Sequence, residues 1–314
     1  MKKPTISFII PIYNEQNNIK LLYYEIKKVM IYLKKKKKFS NYEVIFIDDG
    51  SRDNTPAILK SIKKTEGKRL RVVAFRKNFG KAEAYKAGFE ICSGDLVFTM
   101  DGDLQDNPND IPAFLEKINQ GYDIVIGWKY KRRDPMTKRF LSKIFNNLLR
   151  SLTKLKLHDF DNGFRCMKKE ILPHLDLYEG LYRYIPLLAN SKGFHVGEVK
   201  VHHRERKYGQ SKYGASRISG GFFDLITIKF LFFYLKRPLH FFGGIGFVIF
   251  LIGFLGVCSL IYSILRNITW ETPLLTLSVL LIIIGIQFIL FGLIGEMIAN
   301  ISKKEKNYVI RKII

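Results

Sequence analysis

Asp101-Gly102-Asp103-Leu104-Gln105-Asp106 follows directly on the apolar run Leu96-Val97-Phe98-Thr99-Met100. A buried strand ending in two alternate carboxylates and an amide oxygen gathers hard oxygen donors in one place. That is the donor chemistry of Mg²⁺ or Mn²⁺ holding a diphosphate. Along an extended chain residues 101, 103 and 105 fall on one side, so their oxygens can face one ion. Asp106, just ahead of Pro108, reads as a helix cap. Arg76, Asn78, Gly80 and Lys81 make a basic, glycine-containing turn into a helix, suited to phosphate oxygens. Asp48-Asp49-Gly50-Ser51 taken alone is an ordinary strand-to-turn signal. Residues 203–213 concentrate phosphate-binding side chains, Arg206, Ser211 and Lys212 among them. The histidines lack metal-site spacing, and Cys92, Cys166 and Cys258 are scattered as reduced packing residues would be.

These groups need a scaffold, and the flanking pattern supplies one. Residues 1–214 alternate short apolar runs with charged, helix-like segments, as a soluble α/β domain does. Strands are expected at 5–12, 42–47, 70–75, 95–100, 123–127 and 196–201, and helices at 16–33, 55–65, 80–92, 108–120 and 138–155. Polar residues at successive strand ends would then face one crevice of a parallel, doubly wound sheet. Residues 215–240 mix Phe, Leu and Ile with Asp224 and Lys229, which suits amphipathic helices in a membrane interface. Within residues 241–314, the stretches 241–265 and 274–295 contain no charged residue, and each can cross a hydrocarbon core of roughly 30 Å. Met1-Lys2-Lys3 leads straight into a strand-like run, unlike a signal peptide.

Lys229, Lys236 and Arg237 precede the first span, and Lys303, Lys304, Lys306, Arg311 and Lys312 follow the second. This bias makes a hairpin, with spans at about 241–265 and 274–298 and a basic tail. The catalytic domain and both termini are expected on the cytoplasmic side of the cell's inner membrane. A net charge of +24 raises nucleic acid as a partner, but anionic headgroups and phosphate ligands explain it more simply in a membrane-anchored chain. The run Lys34–Lys38 is expected to be a solvated loop or a headgroup contact.

Three motifs in order, Pro11-Ile12-Tyr13-Asn14-Glu15, Asp48-Asp49-Gly50-Ser51 and Asp101-Gly102-Asp103-Leu104-Gln105, resemble the inverting family 2 glycosyltransferases of GT-A (Rossmann-like) fold. Gly163-Phe164-Arg165, Gly209-Gln210-Ser211-Lys212-Tyr213 and Arg237-Pro238-Leu239-His240-Phe241-Phe242-Gly243-Gly244 extend the similarity. Within the family the chain is most similar to polyprenyl-phosphate glycosyltransferases, such as the undecaprenyl-phosphate glucosyltransferases and dolichyl-phosphate mannose synthases. The likeness covers essentially the whole chain.

The resemblance implies a nucleotide pocket at Pro11, Tyr13, Glu15 and Asp49, with Arg76, Lys81 and Asp101 about the diphosphate. It makes Asp101 and Asp103 the metal carboxylates, with Gln105 in support, for Mg²⁺ or Mn²⁺. It makes Asp103, Asp159, Asp161 and Arg165 the catalytic group, and Arg206, Ser211 and Lys212 the acceptor-phosphate site. A nucleotide-sugar donor and a polyprenyl phosphate are the implied partners. A lipid phosphate is already anionic near neutral pH, so positioning and charge neutralisation replace a strong general base.

Gly127-Trp128-Lys129 departs from the Gly-Ser-Arg common in mannose synthases. A UDP-hexose, glucose first, is therefore the expected donor and GDP-mannose the alternative. A processive polysaccharide synthase on the same fold is a second alternative. Those enzymes carry a Gln-x-x-Arg-Trp motif, and neither Trp128 nor Trp270 follows an arginine. Two spans build a polymer channel only in a homo-oligomer, which the sequence leaves open. A basic membrane-anchored binding protein without catalysis is the third, opposed by the acidic cluster.

Overall fold

β1 (Ile6–Ile12) is buried along nearly its whole length, as a central parallel strand must be. Ile6, Phe8, Ile10 and Ile12 line one face and pack with Ile19, Leu22, Tyr23, Ile26 and Met30 of α1 (Ile19–Lys35), which recur at three- and four-residue spacing. Ile9 points to the other face, where it touches Gly88 of α3 (Lys81–Ile91). Between them come β2 (Tyr42–Asp48), α2 (Thr55–Glu66) and β3 (Leu70–Ala74). Next follow β4 (Leu96–Thr99), a 3₁₀ turn Pro108–Asp110, α4 (Ile111–Asn119), β5 (Ile124–Lys129) and β6 (Arg165–Lys168). The 3₁₀ segments Lys169–His174 and Glu179–Tyr184, α5 (Ile185–Ser191) and β7 (Val196–Val201) complete the sheet domain. The computed structural model describes residues 3–130, 146–147, 149–150, 153, 155–177, 179–205, 238–266 and 272–301. The chain divides into two compact units, Met1–Lys212 and Tyr213–Ile314.

The strand order is β3-β2-β1-β4-β6-β5-β7. β6 pairs antiparallel with both β4 and β5, while every other neighbouring pair is parallel. The sheet is therefore mixed, and the expectation of a wholly parallel one is corrected. The cause is local. Thr99 at the end of β4 donates its hydroxyl to the Gly163 carbonyl at 2.7 Å, so the chain re-enters the sheet at the C-terminal edge and must run back. Phe164 fixes that entry by packing on Phe114 (4.5 Å between centroids) and Phe98 (6.2 Å).

In the second unit, α6 (Pro238–Leu265) and α7 (Thr272–Ile301) pack along each other. Both are long and apolar enough to cross a membrane, with mean hydropathies of 2.6 and 2.8. Small residues let the backbones approach: a Cβ on Gly246 would lie 2.6 Å from the Gly285 carbonyl oxygen. At the open end of this pair the Leu239 amide, in the first turn of α6, donates to Glu296 of α7 at 3.4 Å. The expected helix 138–155 lies mostly outside the described residues. The interfacial segment, apart from residues 238–240, and the basic C-terminal tail lie there too.

Candidate active site

The C-terminal ends of β1, β2, β4 and β5 open on one edge of the sheet, where ligands bind in α/β folds. The loops after β1 and β2 are laced together there. Asn14, with φ 51°, donates its amide to Ser51 Oγ and accepts from the Arg52 amide, both at 2.8 Å. The Glu15 amide donates to Thr55 Oγ1 at 2.9 Å, and Gln16 accepts from the Asn54 amide at 2.9 Å. The Glu15 carboxylate accepts from Asn18 at 2.6 Å. Pro11 and Tyr13 lie half-buried at the same edge.

Asp49, expected at the nucleotide, is buried and accepts the backbone amides of Phe79 (2.7 Å) and Gly80 (3.0 Å). Burial pushes its carboxyl up, and those two amides pull it back only in part. Asp49 thus pins the turn that carries Arg76, which is exposed, and Lys81. Lys81 Nζ reaches Asp101 Oδ1 at 2.5 Å and sits over the rings of Tyr85 and Tyr182 at 5.7 and 5.5 Å. Burial opposes its charge, but Asp101 and the two phenols prevail and hold its pKa well above the ordinary value. Asp101 is likewise held below the usual carboxylate range: burial raises it, and Lys81, then Lys129 and Arg165, more than offset that.

The acidic segment is a turn, so the extended alternation expected for residues 101, 103 and 105 is not what brings them together. Leu104 is buried at φ 64°, and Asp103 Oδ1 accepts the Gln105 amide at 3.1 Å. Gly102 packs on Ile12 beside Glu15, which sets the turn against the β1 loop. Asp106 is not a helix cap. Asn107 caps the following 3₁₀ turn, while Asp106 is buried and accepts the Asp101 amide at 3.2 Å. Burial raises its carboxyl to about 7; Lys129 lowers it and the charges of Asp101 and Asp103 raise it further.

Two later segments close over this turn. Gly163 faces Asp101 so closely that a Cβ there would lie 2.7 Å from Oδ1. Beyond β7, the Arg204 amide donates to the Gln105 carbonyl at 2.9 Å, and Gln105 Nε2 returns to the Arg204 carbonyl at 3.4 Å. The Arg204 guanidinium holds Asn107 and Glu25, each at 2.6 Å. The chain entering the basic stretch 203–213 is therefore stitched to the acidic turn. Arg206, Ser211 and Lys212 themselves lie outside the described residues.

Arg165, expected among the catalytic groups, is 1% exposed and donates to the carbonyls of Tyr182 (2.8 Å) and Arg183 (3.1 Å). It is a buried post for the segment Glu179–Tyr184, touching Asp101 only through its charge. Asp159 is buried, its amide donating to Glu198 at 3.3 Å, and Asp161 stands half-exposed 3.9 Å from Arg183 Nε. Sequence reasoning missed Tyr182, Gly163 as a neighbour of Asp101, Asp106 as a member of the carboxylate group, and Arg204. Asp106 and Gly163 carried a signal, each by its place in a motif; Tyr182 and Arg204 carried none.

Divalent-cation chemistry fits these residues. Asp101 and Asp103 are hard oxygen donors two residues apart on one turn, and Lys81 already pairs with Asp101 there as a cation would. Among the described residues no three acidic, histidine or cysteine side chains form a closed metal cage. Two carboxylates completed by substrate phosphates is how Mg²⁺ is usually held.

Residues 7–175 match the family model described as glycosyl transferase family 2. A dodecaprenyl-phosphate galacturonate synthase of Rhizobium johnstonii is 32% identical over 98% of this chain and 92% of its own length. An undecaprenyl-phosphate 4-deoxy-4-formamido-L-arabinose transferase of Pseudomonas fluorescens is 33% identical over 93% of this chain and 83% of its own. Among solved structures, glucosyl-3-phosphoglycerate synthase from Mycobacterium tuberculosis with Mn²⁺ and UDP-glucose shares the fold. It aligns at TM-score 0.53 and 20% identity, covering 71% of this chain and 77% of that one. The chain belongs to glycosyl transferase family 2, and the relatives it matches along nearly its whole length are polyprenyl-phosphate sugar transferases.

Proposed function

We propose that this protein moves a sugar from a nucleoside diphosphate, UDP in the first instance, to the phosphate of a polyprenyl lipid. The observation that carries this reading is the pairing of the acidic turn at Asp101–Asp106 with a basic stretch stitched to it through Arg204. One phosphate partner would be managed on each side. Pro11, Tyr13 and Glu15 line the entry for the nucleotide, and Lys81 and Arg76 stand on the turn that Asp49 fixes. Asp101 and Asp103 would hold Mg²⁺ or Mn²⁺, which supplies charge neutralisation to the departing diphosphate. Gln105 orients the turn through Arg204. Lys81 is free to exchange Asp101 for a phosphate oxygen as the nucleotide arrives.

Arg206, Ser211 and Lys212 are proposed to bind the acceptor phosphate, with Asp159 and Asp161 shaping the space for the sugar. Attack by an anionic phosphate oxygen opposite the leaving group inverts the anomeric centre and needs no strong base. Two membrane-crossing helices in the same chain match a lipid acceptor, and the Lys and Arg flanks favour a cytoplasmic catalytic domain in the inner membrane.

The relatives' names widen the sugars to be tried. Membranes containing the protein should be given undecaprenyl phosphate and labelled UDP-glucose, UDP-galacturonate, UDP-linked formamido-arabinose and GDP-mannose. One organic-extractable glycolipid, lost on adding EDTA, is the expected product. A polymer would point to the synthase alternative, and absence of transfer with every donor would refute the proposal.

A further inference from the structure

The outer face of α1 carries a pattern that catalysis leaves unused. Lys20, Tyr24, Lys28, Ile31 and Lys35 follow one another at four- and three-residue steps, so they share one stripe. Leu21 and Tyr32 border it. The four apolar or aromatic members are open to solvent: Leu21 46%, Tyr24 41%, Ile31 47% and Tyr32 52% exposed. Lys34, Lys35, Lys36, Lys37 and Lys38 continue the charge past the helix end, all exposed. Lys27 and Lys36 lie over the rings of Tyr24 and Tyr32 at 5.8 and 4.6 Å. The helix bears one acid, Glu25, and Arg204 neutralises it at 2.6 Å.

We propose that this face of α1 docks on an anionic lipid bilayer. Tyrosines and aliphatic side chains set among lysines are the composition of helices that lie in a headgroup layer. Charge selects the occupant. A second copy of the same face would bring like-charged lysines together, whereas anionic headgroups complement them, each lysine contributing about fivefold in membrane affinity. The same chain carries two helices long and apolar enough to cross a bilayer.

The test uses the full chain in lipid nanodiscs. Cys258→Ser removes the exposed thiol and leaves Cys92 and Cys166 buried. Lys28→Cys then carries an environment-sensitive fluorophore, with Glu90→Cys, exposed on α3 across the sheet, as the comparison position. In phosphatidylglycerol discs the probe at position 28 should shift to the blue and be quenched by brominated lipid, while the probe at 90 stays aqueous. The shift should be lost in phosphatidylcholine discs. It should also be lost in the triple variant Lys34→Glu, Lys35→Glu, Lys36→Glu, whose circular dichroism and transfer activity in detergent stay unchanged. An aqueous spectrum at position 28 in both disc types overturns the proposal. So does equal quenching at both positions, or a shift produced by added single-stranded DNA in place of lipid.

Discussion

Gly163→Ala tests the placement of Asp101 without touching a charge. The added methyl would lie 2.7 Å from Asp101 Oδ1, 3.1 Å from Cγ and 3.2 Å from Oδ2. Comfortable contact needs roughly 3.4 Å or more, so the carboxylate must yield by about 0.7 Å. It has room to do so, because its side chain is 36% exposed and, among the described residues, Lys81 is the one that grips it. The glycine backbone is outside the left-handed region, so alanine adds no strain there. Stability should change by less than about 1 kcal/mol. Catalysis should suffer far more, since a displacement of this size at a reacting centre costs about 100-fold, equivalent to about 2.7 kcal/mol in the barrier. Transfer rates, the melting temperature and calorimetric binding of Mn²⁺ with UDP would be measured on the same preparation. Unaltered kcat/KM in the folded variant would refute the assignment of Asp101 to the reaction centre. Loss of the fold would refute the geometry.

Asp103→Asn should lower metal-dependent transfer by at least about 100-fold while membrane insertion is kept, and the residual rate should not respond to EDTA. Asp106→Asn should stabilise the protein near neutral pH. The folded carboxyl titrates at about 7 against roughly 3.9 unfolded, so the native state binds the extra proton between those values. Stability therefore falls as pH rises from 4 through 7, by up to about 4 kcal/mol. Thermal melting between pH 5 and 8 should show that slope in the parent and a flatter one in the variant, and parallel curves would contradict the account. Arg165→Met should remove the two hydrogen bonds that the guanidinium donates to the Tyr182 and Arg183 carbonyls, at about 1.5–3 kcal/mol each, and lower the melting temperature by on the order of 10 °C. An unchanged melting temperature would contradict the structural weight given to those two bonds.

Much of the scaffold was legible because its signals are local. The buried runs of β1, β2 and β4 and the periodicity of α1 and α4 report their own surroundings. The acidic motif announced its place at the end of β4 in the same way. β6 could not be read, since Arg165-Cys166-Met167-Lys168 is four residues bounded by charge, and its direction depends on a contact between Thr99 and Gly163. Arg165 and Asp49 have structural partners that the sequence does not announce, for one reason. A charged residue in a motif looks available for a ligand until the backbone groups that occupy it are seen. Arg204 offered nothing to distinguish it from its cationic neighbours, because its partners Gln105, Asn107 and Glu25 lie 97 to 179 residues away.

The late insertion of β6 has a consequence for biosynthesis. β4 and β5 are made first but are joined through β6, and Gly163 and Arg204 reach the acidic turn from later in the chain. A nascent chain halted after β5 would carry an open β4 edge and an unfinished site. The site is completed only once synthesis has passed β7, and the next described element is the first membrane-crossing helix at Pro238. In order of synthesis, the residues that complete the acidic turn therefore come shortly before the first of the two apolar helices.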